Sequence, residues 1–140
     1  MTAARDLKEL SEAEALRRLA SVPFGRVVFT LHALPAVRPV NHVVADGRVV
    51  IRTNPGTVLS KEVAPAAAVV AFEADDLDPY ERLGWSVIVT GIARPVTDEE
   101  EAERFKKLLQ PWVQGGMDQV ISIQPEIVNG FELVPLDDAS

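Results

Sequence analysis

Hydrophobic and polar positions change period several times along the chain. Over residues 11–20 the apolar side chains recur at helical spacing, with Ala15, Leu16 and Leu19 on one face. Ser11 and Glu14 have the S-x-x-E spacing of a capping box, so this segment is predicted as a short helix that ends before Pro23 and Gly25. The period then shortens. Residues 26–31 (RVVFTL) and 36–44 are β-branched and extended in character. Asp46-Gly47 separates Val43-Val44 from Val49-Val50-Ile51, and Asp-Gly between two β-branched runs signals a tight hairpin, because a type I′ turn needs positive φ at both centres. Residues 53–57 (TNPGT) read as a loop, and residues 58–64 as one or two helical turns stopped by Pro65. The apolar run 66–72 (AAAVVAF) predicts a strand buried on both faces, and the acidic stretch 73–78 a solvated loop. Residues 84–95 read as a strand in which Gly91 marks a bulge or bend. Thr97 and Glu100 predict a second capping box, opening a helix that runs to about Gln110. Residues 120–123 and 127–134 supply the last strand material, broken near Pro125.

The sum is about six short strands with peripheral helices and no βαβ alternation. That excludes a doubly wound parallel sheet and predicts a mainly β chain closed into a small antiparallel barrel. The 140 residues fit a single domain, with residues 1–9 and 137–140 expected to be flexible.

Composition narrows the chemistry. There is no cysteine, which excludes disulfides, thiolate metal sites and cysteine nucleophiles. No apolar run approaches the roughly 20 residues that span a bilayer, and the first ten residues do not read as a secretory signal, so a cytoplasmic location is expected. The net charge of −7 argues against nucleic acid and against an anionic membrane surface as partners. His32 and His42 are the only histidines and lack supporting carboxylate spacing, so no metal site is expected. No G-x-S-x-G elbow, G-x-G-x-x-G turn or P-loop is present, and no catalytic residue is assigned. What remains is Arg38 and Arg52 on the hairpin strands, followed by Thr53, Asn54, Thr57 and Lys61. Cations and hydroxyls ahead of a helix start suit a dianionic phosphate, although arginines on a hairpin are as often simply solvated.

Five segments in order carry a resemblance: GRVVF (25–29), RPVNH (38–42), DGRVVIRT (46–53), VVAFEADD (69–76) and GWSVIVTG (84–91). Together they resemble the pyridoxamine 5′-phosphate oxidase-like FMN-binding split-barrel family, in its short actinobacterial-type branch. The resemblance implies a six-stranded antiparallel split β-barrel that forms a homodimer with FMN at the subunit interface. The strand matching residues 38–43 would run along the flavin ring. That places Arg38 and Pro39 in the cofactor site, with the backbone of Val40 and Asn41 at the polar ring edge. Arg52 and Thr53 would reach ring and phosphate, Thr57 the phosphate, and Ser86 the ring edge; Trp112 would come from the partner subunit. His42 would meet the substrate or act as a structural polar contact. The oxidases proper carry an Arg-Lys pair where this chain has Val58 and Leu59, so Lys61 is the expected substitute one turn on. Gly130-Phe131 stands where many relatives have Gly-Arg, and the C-terminal extension that recognises pyridoxal phosphate is missing, so pyridoxamine phosphate oxidation is not implied. The implied function is a flavin-dependent oxidoreductase acting on a small organic molecule by hydride transfer at N5. The alternatives are a reductase using the deazaflavin F420, or a non-catalytic flavin- or haem-binding module.

Overall fold

The computed structural model describes residues 4–54, 57–63, 67–109 and 119–136. Three helices are present among them: α1 (Glu12–Ala20), α2 (Val58–Val63) and α3 (Glu99–Leu108). The strands are β1 (Arg5–Glu9), β2 (Phe24–Leu31), β3 (Leu34–Ala45), β4 (Arg48–Thr53), β5 (Ala68–Asp78), β6 (Leu83–Pro95) and β7 (Gln119–Pro135). They form one antiparallel sheet in the order β1-β7-β4-β3-β2-β5-β6, and a further pairing of β7 with β6 closes β2 to β7 into a six-stranded ring. The expected barrel is therefore present, with β1 added outside the ring. Arg5–Glu9, expected within a flexible segment, instead pairs with the end of β7, from Glu9↔Phe131 to Arg5↔Pro135.

Inward-facing residues alternate along each strand. Val27, Phe29, Val49, Ile51, Phe72, Val87, Val89, Ile121 and Ile123 fill the barrel. A smaller cluster of Val50, Phe105, Leu109 and Val120 seats α3 on the outer side of β4 and β7. Helix α1 packs Ala15 and Leu19 onto the barrel and leaves Leu16 half-buried. Its start is capped as expected, with the Glu14 N–H donating to Ser11 Oγ at 3.1 Å. The Asp46-Gly47 turn has φ of 54° and 73°, both in the left-handed region.

Four local expectations are corrected. Residues 73–78 continue β5 rather than forming a loop, because they pair with β6 from Glu73↔Ile88 to Asp78↔Leu83. The run at residues 66–72 is not buried on both faces: Phe72 and Val70 point into the core, whereas Val69 is 71% exposed on the outer face. Helix α3 is capped by Asp98, whose carboxylate accepts from the Glu100 and Glu101 N–H groups, and not by Thr97. Strand β7 is not broken near Pro125 but runs through it, with a bulge at Glu126 opposite Thr90 and Gly91. A Cβ at Gly91 would lie 2.1 Å from the Gln124 carbonyl oxygen, so the bulge needs glycine.

Candidate functional site

The site begins where a hairpin comes apart. Strands β3 and β4 pair only over His42↔Ile51 to Ala45↔Arg48, next to the tight turn. Beyond His42 they diverge: β3 pairs with β2, from Phe24↔Asn41 to Leu31↔Leu34, while β4 keeps only the ladder with β7 that it holds from Val49↔Ile123 to Thr53↔Gln119. Among the described residues, the edge of β3 at Arg38–Asn41 that faces away from β2 therefore has no ladder partner. Such an edge offers backbone N–H and C=O groups to a ligand.

A cavity of about 390 Å³ lies in this fork. One prong supplies Arg38, Pro39, Val40 and Asn41, and the other supplies Arg52, Thr53, Asn54 and Thr57. Phe24 of β2 and Leu59 of α2 complete the apolar part of the wall. Seven of the nine residues singled out from the sequence thus meet around one cavity. The other two, Lys61 and Ser86, do not line it. Lys61 is exposed on α2. Ser86 belongs to β6 and alternates outward between buried Trp85 and Val87, away from the barrel interior. Trp112 lies outside the described residues. Phe24 and Leu59 are lining residues that the sequence did not reveal. Phe24 reaches the cavity only because it registers with Asn41 across a hairpin, and Leu59 sits at a position where the family pattern calls for a cation.

The polar groups are held in place by local bonds. Arg52 Nη1 donates to the carbonyls of Lys106 at 3.3 Å and Leu109 at 3.1 Å, at the end of α3. Arg38 Nη1 donates to the neighbouring Val37 carbonyl at 3.1 Å and remains exposed. Thr53 Oγ1 and Thr57 Oγ1 are 3.2 Å apart, the Thr57 hydroxyl donates to the Asn54 carbonyl at 2.9 Å, and it accepts from the Ser60 N–H at 3.2 Å. Ser60 Oγ donates to Gln119 Oε1, which ties α2 to the start of β7. Two permanent cations and two hydroxyls beside an apolar wall are the chemistry that suits a ligand with an anionic group and an apolar part.

His42 does not present itself to that cavity. It is 3% exposed, its ring stands edge-on to Phe72 with centroids 4.8 Å apart, and its Nε2 bonds the Leu19 carbonyl at 2.8 Å. Its Nδ1 has no hydrogen-bond partner among the described residues. The neutral form with the proton on Nε2 satisfies this arrangement, and burial holds the pKa below the ordinary histidine value. Of the two roles expected for His42, the structural contact is the one this environment provides. No group of three or more potential metal ligands occurs among the described residues, and no described helix is long and apolar enough to cross a membrane.

Comparison with known proteins agrees with this architecture. Residues 11–136 match the family model described as pyridoxamine 5′-phosphate oxidase. Uncharacterized protein Rv0080 of Mycobacterium tuberculosis is 56% identical over 134 residues, covering 94% of this chain and 88% of the relative. The FAD-binding protein of Mycobacterium smegmatis superposes with a TM-score of 0.75 at 35% identity, over 90% of this chain and 98% of that one. A conserved protein of unknown function from Corynebacterium diphtheriae superposes with a TM-score of 0.74 at 32% identity, over 91% and 98% of the two chains.

Proposed function

This chain belongs to the pyridoxamine 5′-phosphate oxidase family, and from that premise we propose that the fork between β3 and β4 binds FMN in an oxidoreductase acting on a small organic molecule. The observation that carries the reading is the donor set of the fork: Arg38, Arg52, Thr53 and Thr57 gathered beside Phe24, Val40 and Leu59 around one cavity. The arginines and threonines would hold the phosphate, and the apolar side chains would cover the ring and exclude water. The open β3 edge at Val40 and Asn41 would meet the ring's polar edge, and a guanidinium nearby would stabilise negative charge on it. A bound flavin supplies hydride transfer at N5, so the protein need contribute binding, orientation and electrostatics but no acid or base of its own. FAD is the second reading, because the M. smegmatis relative at 35% identity is an FAD-binding protein. F420 fits less well, since its acidic tail would approach a chain of net charge −7.

We further propose that the site is completed by a second copy of the chain. Strand alternation turns Phe24, Pro39 and Asn41 outward from the barrel, onto the same face as Ser86, so the cavity borders that face. A copy docked there would cover the cavity mouth.

Fluorescence titration with FMN, FAD and F420 tests the cofactor. FMN should bind most tightly, and Arg52→Ala combined with Thr53→Ala should weaken it at least tenfold, about 1.4 kcal/mol. A protein that binds none of the three, or a double variant with unchanged affinity, would remove the fork from cofactor binding. Bleaching of the flavin bands by a nicotinamide donor supports the oxidoreductase assignment, and a bound flavin that no donor reduces, or a Soret band in the purified protein, points to a carrier.

A further inference from the structure

The outer face of β3, β2, β5, β6 and β7 is largely apolar. Val37, Val69, Ile88 and Ile127 on it are 51%, 71%, 44% and 55% exposed. These side chains continue the outward row of Phe24, Pro39 and Asn41, the side on which the cavity opens and on which a second copy would dock. Within this face sits a charged cluster. Arg26 Nη1 of β2 lies 2.7 Å from Glu73 Oε1 and 3.6 Å from Asp75 Oδ2, both of β5. The outward neighbours on β6, Ile88 opposite Glu73 and Ser86 opposite Asp75, carry no charge. On the far side of β2, Pro39 pairs with Arg26 and is also uncharged. One cation thus faces two carboxylates, and the cluster carries a net charge of −1 when all three are ionised.

We propose that the Arg26–Glu73–Asp75 cluster makes self-association of this chain proton-linked, so that the dimer takes up protons as it forms and loosens as pH rises through neutrality. The inference rests on the two-copy reading above. A two-fold interface buries the same patch on both subunits, so two such clusters lose water together. Removing water from an uncompensated charge is costly, and the cluster escapes that cost by holding one proton between its carboxyls. The single chain already leans this way. Glu73 is pushed up to about 7, chiefly by desolvation and then by its hydrogen bond and repulsion with Asp75, with Arg26 pulling in the opposite direction. A covering subunit removes more water and drives the same shift further.

The test is a sedimentation dilution series of the full chain at pH 6 and pH 8, at one fixed salt concentration because screening also acts on charged faces. The wild-type dimer Kd should rise at least tenfold from pH 6 to pH 8. Glu73→Gln and Asp75→Asn each leave a neutral cluster and should give a tight dimer at both pH values. Arg26→Gln leaves two carboxylates without their cation and should dissociate more than wild type at pH 8. A wild-type Kd that is equal at the two pH values, or neutralised variants that keep the wild-type response, would overturn the proton linkage while leaving the dimer. A chain that stays monomeric at every pH and concentration would overturn the two-copy reading itself.

Discussion

Arg52 has a structural duty besides the cofactor contact proposed for it, and truncating it separates the two. Its Nη1 is shared between the Lys106 and Leu109 carbonyls at 3.3 and 3.1 Å, where α3 ends and its own carbonyls run out of partners. Helix α3 is also held by Phe105 and Leu109, buried against Val50 and Val120, and by the ion pairs of Glu101 with Arg48 and of Arg104 with Asp46, but Arg52 alone bonds the carbonyls at its end among the bonds described. A hydrogen bond from a charged donor contributes about 1.5–3 kcal/mol. One donor divided over two carbonyls on a half-buried side chain counts as about one such bond, so Arg52→Ala should cost about 2 kcal/mol before any ligand is considered. For a domain of this size that lowers Tm by about 7 °C. Arg38 is the internal control. It lines the same cavity, but its Nη1 bonds only the adjacent Val37 carbonyl among the bonds described, on an exposed side chain. Arg38→Ala should therefore change stability by less than about 0.5 kcal/mol. The assay is a circular-dichroism melt of the ligand-free proteins, paired with hydrogen exchange over α3. Arg52→Ala melting within a degree of wild type, with exchange of α3 unchanged, would refute the claim that this guanidinium secures the helix.

Other outcomes follow from particular contacts. Gly91→Val would set a side chain against the Gln124 carbonyl, where even a Cβ lies at 2.1 Å, and should destabilise by about 3 kcal/mol or more in a denaturant titration. Glu73 holds its proton more firmly folded than unfolded, so it contributes stability below the ordinary carboxylate pKa of 4.5 and loses it as pH rises towards about 7. Melts of wild type and Glu73→Gln should accordingly diverge over pH 4.5–7, with wild type falling relative to the variant. His42 has the opposite sign. Its folded pKa is depressed, so its contribution is complete above 6.5 and is lost as pH falls below that value. His42→Gln keeps a donor for the Leu19 carbonyl and should remove that acid sensitivity, read as a smaller Tm drop between pH 7 and pH 5. Lys61→Ala should leave the flavin Kd within about twofold, because Lys61 stands outside the cavity.

Local signals in the chain carried much of this architecture. The helix face of Ala15 and Leu19 and the Asp46-Gly47 turn were legible because each depends on residues within a few positions of one another, and Gly91 marked the bulge although the carbonyl that requires a glycine there comes from Gln124 on another strand. So was most of the cavity's lining, since Arg38–Asn41 and Arg52, Thr53, Asn54 and Thr57 flank a single hairpin. What the chain could not reveal was decided by pairing at a distance. Glu73 to Asp78 look like a solvated acidic loop, yet β6 supplies a ladder partner for every one of them. Arg5–Glu9 becomes a strand only because the end of β7 lies beside it, more than a hundred residues along the chain. The fork itself arises because β3 gives up β4 and pairs with β2 beyond His42, while β4 keeps β7 on its other edge, a set of partners that no short window contains. Side-chain period and turn chemistry are properties of neighbouring residues, so sequence alone determined them; strand partnership, and with it the cavity, the α3 anchor and the charged cluster, exists only once distant segments meet.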